Sequence, residues 1–142
     1  MPCILESRRE GLFCPAGGFF IDPRGKVDLA VITHAHSDHA RGGHASYLCS
    51  DNTKPLLRIR LGLKAKIESI PFGEIIKIGD AFVSLHPAGH ILGSCQVRVE
   101  VGGRVWVVSG DYKTQSDRTC ESFEVINCHG FVTESTFALP VF

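Results

Sequence analysis

Short apolar runs separated by turn-forming residues dominate the first part of the chain. The run at 29–32, Leu-Ala-Val-Ile, is continuous, which is typical of a strand buried on both faces. Shorter runs at 19–21 and 46–49 predict two further strands. Thr53 then provides a helix start, and Gly62 provides its end.

The rest of the chain predicts successive strands. Residues 96–101 alternate polar and apolar side chains, as a strand with one solvent-exposed face does. Gly102 and Gly103 fit a two-residue hairpin turn into the apolar run 105–108. The other predicted strands are 66–70, 74–78, 81–85 and 131–133. These elements predict an α/β fold with much antiparallel sheet and with the chemistry in loops at strand ends.

Composition adds little to this picture. The chain has 142 residues, of which 44% are hydrophobic and 21% charged, as expected for one modest globular domain. Its formal net charge of +0 gives no support for nucleic-acid binding, although a local basic patch is compatible with it. No apolar run approaches the roughly 20 residues of a membrane span, and the N-terminus lacks a secretory signal. We therefore expect no membrane association and a cytoplasmic location.

The six cysteines form no CxxC pair, so a thiolate zinc site is not expected. Without a secretory signal, disulfides are not expected either, and we predict mostly small, partly buried thiols.

The segment THAHSDHARGGH, residues 33–44, contains four of the seven histidines. His34 and His36 are two residues apart, so they project to the same side of an extended backbone. Asp38 and His39 follow in a turn and can face a second position. Imidazole nitrogens and carboxylates are the donors that zinc uses in proteins. The HxHxDH pattern therefore predicts a metal site.

Two later segments supply candidate ligands of the same kind. His90 lies in HPAGHILGS, a glycine-flanked loop that follows a predicted strand. Asp111 lies in SGDYK, directly after the apolar run 105–108. An acid in that place is often only a solvent-facing cap, but a dinuclear site needs a carboxylate able to bridge two ions.

Other polar residues are not assigned to the site. His44 is expected at the surface, His86 beside the site or in packing, and His129 has no partner at ligand spacing. Trp106 is expected to pack in the sheet. A basic segment is expected to be a solvated helix face, with phosphate contact as the alternative; its residues are Lys54, Arg58, Arg60, Lys64 and Lys66.

Four motifs in this order, THAHSDH, PAGHILGS, SGDYK and TESTF, resemble those of metallo-β-lactamase-fold nucleases of the β-CASP branch. Within that branch the chain is most similar to the bacterial DNA-ligase-associated putative exonucleases. The finer resemblance rests on GLFCPAGGFFIDPRGKVDLAVITHAHSDHARGG, SLHPAGHILGSCQVRVE and VWVVSGDYK. It implies an αββα sandwich, of which residues 1–142 would be the N-terminal part of a metallo-β-lactamase-like domain. The β-CASP insertion and the C-terminal half, which carry the last zinc-binding histidine, would lie outside the chain.

The resemblance also implies roles for individual residues. His34, His36 and His90 would hold one zinc ion, Asp38 and His39 would hold a second, and Asp111 would bridge them. Manganese is the alternative metal. Asp22 would support the ligands without binding metal. Asp38 and Glu134, the acid of TESTF, would be catalytic.

The resemblance predicts a metal-dependent phosphodiesterase, a DNA exonuclease in which two zinc ions activate water. Asp38 would orient that water and accept its proton. DNA would be the partner, with functional association with a DNA ligase or a helicase. Three alternatives remain: an RNA-processing nuclease of the same fold, a thioester or lactam metallohydrolase, and a non-catalytic metal-binding module.

Overall fold

The computed structural model describes residues 3–136, and its first sheet has six strands in chain order. Strands β1 to β3 pair antiparallel, whereas β3 to β6 pair parallel. Helix α1 (Thr53–Leu61) connects β5 to β6. The strands are β1 (Glu6–Arg8), β2 (Gly11–Cys14), β3 (Phe19–Ile21), β4 (Leu29–Val31), β5 (Ser46–Ser50) and β6 (Ile67–Ile70).

The second sheet has five strands in the order β11-β10-β9-β8-β7. All its neighbours pair antiparallel except β10 and β11, which are parallel. The strands are β7 (Ile76–Ile78), β8 (Ala81–Pro87), β9 (Cys95–Val101), β10 (Arg104–Val108) and β11 (Gly130–Val132).

Two apolar clusters join the layers. Phe19 and Val31 of the first sheet pack in one cluster with Val83 and Val97 of the second, so the main core lies between the sheets. Leu57 of α1 packs in the other cluster with Cys49 and its neighbours on the opposite face of the first sheet. The described part is therefore a helix–sheet–sheet stack, as the predicted sandwich requires.

Every element predicted from the pattern is present, with strand bounds that differ by at most two residues. Helix α1 begins at Thr53 and its C-cap is Gly62, as predicted. Strands β1 and β2 were not predicted, because β1 is polar and half-exposed and neither strand alternates clearly. Trp106 packs against the core between the sheets, as expected.

Two expectations about individual residues need correction. His44 is buried rather than at the surface, because its Nδ1 accepts the backbone N–H of Val27. Arg58 and Arg60 are not simply solvated: Arg58 donates to three carbonyls beyond the helix, and Arg60 donates to the carbonyl of Ala35.

All six cysteines are free; three are buried, and Cys3 and Cys128 are exposed.

Within residues 3–136, no helix is long and apolar enough to cross a membrane.

Candidate metal centre

The predicted ligands lie where the two sheets meet at the ends of their strands. The THAHSDH segment follows β4, the His90 loop follows β8, and Asp111 follows β10. The backbone N–H of Cys95, at the start of β9, donates to the carbonyl of Thr33 at 2.8 Å. This bond ties the end of β4 to the second sheet and brings the segments together.

The structure brings His34, His36, His90 and Asp111 together, with donor atoms within 4.8 Å of one another. His36 Nδ1 lies 3.1 Å from His34 Nε2 and 3.2 Å from His90 Nε2. Asp111 Oδ2 lies 3.6 Å from His34 Nε2 and 3.8 Å from His90 Nε2. Three nitrogens and one carboxylate oxygen form a donor set that suits tetrahedral zinc.

The other oxygen of Asp111 faces a different histidine. Asp111 Oδ1 lies 3.3 Å from His39 Nε2, and Asp38 Oδ2 lies 3.5 Å from the same nitrogen. A carboxylate with one oxygen toward each histidine group is placed as a bridge would be. Asp38 itself is 69% exposed and belongs to neither group of three or more donors found among residues 3–136. The second position is therefore less assembled than the first.

Asp22 also lies near His34 and His39, but its oxygens are already used. They accept the backbone N–H of Thr33 at 2.8 Å, the hydroxyl of Thr33 at 2.5 Å and Nδ1 of His39 at 2.7 Å. A carboxylate on Nδ1 holds the proton there and leaves Nε2 free for a metal. Asp22 is also the one non-glycine residue with positive φ within 3–136, at 43°. This uncommon conformation at the end of β3 is consistent with a supporting role.

Sequence reasoning gave no role to Thr33, which orients His34. The hydroxyl proton of Thr33 goes to Asp22, so its oxygen accepts from Nδ1 of His34 at 3.0 Å. Nε2 of His34 then carries the lone pair that faces the other donors. The available signal was a hydroxyl residue directly before a strand-end histidine.

Gly110 allows Asp111 to approach this chain of hydrogen bonds. Its φ is +56°, and a Cβ atom there would lie 2.7 Å from Cβ of Thr33. Any side chain at position 110 would push the Asp111 loop away from His34.

The pKa shifts of the histidines differ in direction. Burial, together with the charges of His39, His90 and His36, lowers the pKa of His34 to about 2. Burial also lowers the pKa of His90, against the opposing charge of Asp111. Burial opposes protonation of His39 too, but the hydrogen bond and charge of Asp22, with the charges of Asp111 and Asp38, raise its pKa. His34 and His90 therefore present neutral imidazoles, the form that binds metal.

Two sets of hydroxyl groups hold the His90 loop. Ser94 Oγ accepts the backbone N–H of His90 at 3.0 Å and that of Ile91 at 3.2 Å. The hydroxyls of Ser50 and Thr53 donate to the carbonyl of Gly93 at 2.6 and 2.9 Å. The Ser50 and Thr53 bonds fix the loop against the start of α1, and sequence reasoning missed them because these residues are about 40 positions from Gly93.

Glu134 lies outside both donor groups. Its Oε1 accepts the backbone N–H of Tyr112 at 3.1 Å and its Oε2 accepts the hydroxyl of Thr136 at 2.6 Å. The Thr136 hydrogen bond is the main cause of its lowered pKa. Glu134 is thus fixed beside the Asp111 loop, and a catalytic role for it stays a prediction.

The remaining histidines have other partners. His86 contacts Ser84 at 2.9 Å and Glu124 at 3.0 Å, and Nδ1 of His129 accepts the backbone N–H of Val105 at 3.0 Å.

The fold is that of known metallo-β-lactamases. A B3 metallo-β-lactamase with an active-site glutamic acid superposes with a TM-score of 0.56 over 76% of this chain and 59% of its own, at 18% identity. A Cronobacter sakazakii metallo-β-lactamase, an S60 mutant in its HARLDQ motif, superposes with a TM-score of 0.56 over 78% of this chain and 56% of its own, at 12% identity. The chain has the metallo-β-lactamase fold.

Sequence relatives refine this result. A probable DNA ligase of Opitutus terrae is 36% identical over 92% of this chain, which spans 13% of that protein. Endoribonuclease YSH1 of Mycosarcoma maydis is 26% identical over 95% of this chain, which spans 21% of that protein. No model of a protein family matches. These relatives confirm the resemblance to metallo-β-lactamase-fold nucleases that the motifs indicated.

Proposed function

We propose that the chain carries part of the active centre of a metal-dependent nuclease of the β-CASP kind. The observation that carries the proposal is the placement of Asp111, whose two oxygens face two different histidine groups. A centre for two ions is an arrangement that phosphatases and nucleases use. The similarity to the YSH1 endoribonuclease supports the same reaction class.

The donors fit the predicted metals. His34, His36 and His90 would hold one zinc ion with Asp111, and Asp38 and His39 would hold the second on the other side of Asp111. Manganese is the alternative ion. When bound, such ions lower the pKa of water and neutralise charge on phosphate oxygens.

Around these donors, the chain's own residues orient groups and move protons. Asp22 keeps the Nδ1 proton of His39 in place, and Thr33 does the same for His34. Asp38 is exposed at the edge of the centre, so its carboxylate is available to orient a water molecule and accept a proton. Because the attacked bond is in the backbone, base identity would have little influence.

DNA is the substrate that we favour, because the probable DNA ligase has the higher identity to this chain. RNA is the alternative, supported by the YSH1 similarity. A functional association with a DNA ligase or helicase belongs to the same proposal. Exonuclease rather than endonuclease action is also part of the proposal.

Two assays test the proposal. Turnover of bis-p-nitrophenyl phosphate against a thioester, each with added zinc or manganese, separates phosphodiesterase from thioesterase activity. End-labelled DNA and RNA of the same sequence then identify the nucleic acid and show exonuclease or endonuclease products. Turnover of the thioester alone would contradict the proposal, and metal binding without turnover of any substrate would favour a non-catalytic metal-binding module.

A further inference from the structure

A cleft of about 820 Å³ opens beside the candidate metal centre, on the side of His39. Asp38, Asp111 and Glu134 are among the residues that line it. Four arginines also line it: Arg8, Arg9, Arg24 and Arg41. We infer that this cleft binds the phosphate backbone of a nucleic acid and leads it to the metal centre, an inference that rests on the proposed function.

The guanidinium groups of three of these arginines have no acidic partner. Arg9 and Arg24 are exposed and make no side-chain hydrogen bond or ion pair within residues 3–136. Arg41 donates only to the backbone carbonyl of Asp38, at 3.2 Å. Arg8 differs, because it pairs with Glu6 at 2.5 Å and its guanidinium lies over the ring of Phe13. Arg9, Arg24 and Arg41 therefore carry the free positive charge of the cleft.

The backbone holds these arginines in one place. Arg9 is in the turn between β1 and β2, and Arg24 is in the loop between β3 and β4. The backbone N–H of Arg24 donates to the carbonyl of Glu10 at 2.6 Å, which joins the loop to the turn. Arg41 follows the HxHxDH segment itself. Three separate loops thus present arginines to one cleft that candidate ligands also line.

This arrangement suits a chain of phosphates better than a single small anion. The guanidinium group binds phosphate oxygens in a planar, two-pronged geometry. An arginine without an acidic partner can turn toward a phosphate without breaking an ion pair. Asp38 and Asp111 of the cleft are candidate ligands, so bound ions would offset their charge. The overall charge of +0 gives no sign of four arginines on one cleft.

The basic residues of α1 are poorer candidates for phosphate contact. Arg58 and Arg60 already donate to backbone carbonyls, as described above. The phosphate contact that the sequence suggested for the helix is therefore assigned to the loop arginines.

The test measures binding of the zinc-loaded protein to a fluorescein-labelled single-stranded DNA with phosphorothioate linkages, which resist cleavage, over a range of salt concentrations. The variant is Arg9→Gln/Arg24→Gln. On single-stranded DNA, each lost phosphate contact should lower the slope of log K against log salt by about 0.7, so the double variant should lower it by about 1.4 and weaken binding at every sequence tried. The matched control is Arg118→Gln, which removes an exposed arginine outside the cleft lining and should leave the slope unchanged.

Further arms identify the ligand. A methylphosphonate DNA of the same sequence has a neutral backbone, so the double variant should bind it as the unchanged protein does. RNA of the same sequence shows whether the cleft distinguishes the two sugars. Zinc titration of the double variant checks that the metal centre is intact.

The inference is overturned if the slope stays unchanged in the double variant, or if the protein binds neither DNA nor RNA. Failure of the proposed function has a different signature. In that case the unchanged protein hydrolyses no bis-p-nitrophenyl phosphate with either metal, while the salt dependence still decides whether the cleft binds phosphates.

Discussion

Thr33 shows how one hydroxyl group determines the state of a candidate ligand. It donates to Asp22 and accepts from Nδ1 of His34, so the imidazole is held in the tautomer whose Nε2 faces the other donors. Asp22 thus acts on His34 through Thr33 and contacts His39 directly. One carboxylate thereby orients a histidine in each group.

The first prediction follows from these hydrogen bonds. Thr33→Val keeps the shape of the side chain but cannot accept from His34, so zinc affinity at the first position should fall about 10- to 100-fold. Thr33→Ser retains the hydroxyl and should recover most of the affinity. Isothermal titration of zinc into the metal-free protein measures both variants. Equal affinity for Thr33→Val and the unchanged protein would mean that His34 needs no orientation.

The second prediction concerns Asp38, which is exposed and in contact with His39. Asp38→Asn keeps the size of the side chain but removes its negative charge and its ability to accept a proton. Phosphodiester turnover should fall by at least about 10²- to 10⁴-fold, the typical contribution of general acid–base catalysis. Binding of the first zinc ion should change little, because Asp38 lies outside the first donor group.

The check is a rate measurement at saturating metal, with a zinc titration of the same preparation. Turnover equal to that of the unchanged protein would show that Asp38 is dispensable for the chemistry.

At the residue scale, the sequence could identify the candidate metal ligands but not the hydrogen bonds that orient them. His34, His36, His90 and Asp111 could be named from residue type, local spacing and resemblance, and the structure brings them together. Thr33 was visible in the same motif, but its role depends on a carboxylate 11 residues away. The cleft arginines escaped notice because total charge averages over surfaces that only the fold separates.

At the scale of elements, the His90 loop depends on its contact with the start of α1. Gly93 has φ +78°, and a Cβ atom there would lie 2.5 Å from the backbone nitrogen of Thr53. The carbonyl of Gly93 also accepts the hydroxyls of Ser50 and Thr53. No side chain fits at this position without moving the loop or the helix.

The third prediction is that Gly93→Ala destabilises the fold and weakens the metal centre together. The free energy of unfolding should fall by more than about 2 kcal/mol, since backbone strain of about 1–2 kcal/mol is joined by a clash. Zinc affinity should fall as well, because His90 moves with the loop. Urea unfolding and zinc titration measure the two effects.

Gly103→Ala is the matched control. Gly103 has a nearly equal φ of +77°, but its added Cβ would meet nothing within 4 Å. It should show the strain alone and leave zinc affinity unchanged. If the two variants lose the same stability and both keep zinc affinity, the close contact at Gly93 has no importance for the centre.

The elements themselves were largely predictable. Alternation and apolar runs locate strands because burial selects side chains at fixed periods, and Val97 and Val99 of β9 follow this pattern. Helix α1 was located instead by its start at Thr53 and its end at Gly62. Strands β1 and β2 escaped because an edge strand such as β1 (Glu6–Arg8) is half-exposed and carries no such pattern. Their order in the sheet depends on long-range pairing that no local pattern contains.

At the scale of the whole molecule, the metal-free protein must keep several imidazoles partly or fully buried without a bound metal ion. His34 is fully buried, and His44 and His90 also have lowered pKa values, in each case chiefly through burial. These groups resist protonation when the protein is folded but accept protons at their ordinary pKa when it is unfolded. Folding stability is therefore linked to pH in part through His34 and His90, which are candidates for the site.

The fourth prediction gives the sign of this linkage for metal-free protein in a chelator. Between the ordinary histidine pKa of 6.5 and the value of about 2 for His34, the unfolded chain binds more protons than the folded one, so stability rises with pH and falls on acidification. His39 acts in a different window: its raised pKa adds stability that is complete below 6.5 and lost as pH rises through the folded value. We expect maximal stability near pH 6.5, with a loss of up to about 1.4 kcal/mol per pH unit and per histidine toward pH 5. That interval lies above the range in which most carboxylates titrate, so histidines dominate it.

Urea unfolding at a series of pH values measures the slope, and His34→Asn should reduce it because the most strongly shifted group is gone. A slope of zero or of the opposite sign between pH 6.5 and 5 would show that the buried histidines are stabilised in their protonated form by contacts other than those described.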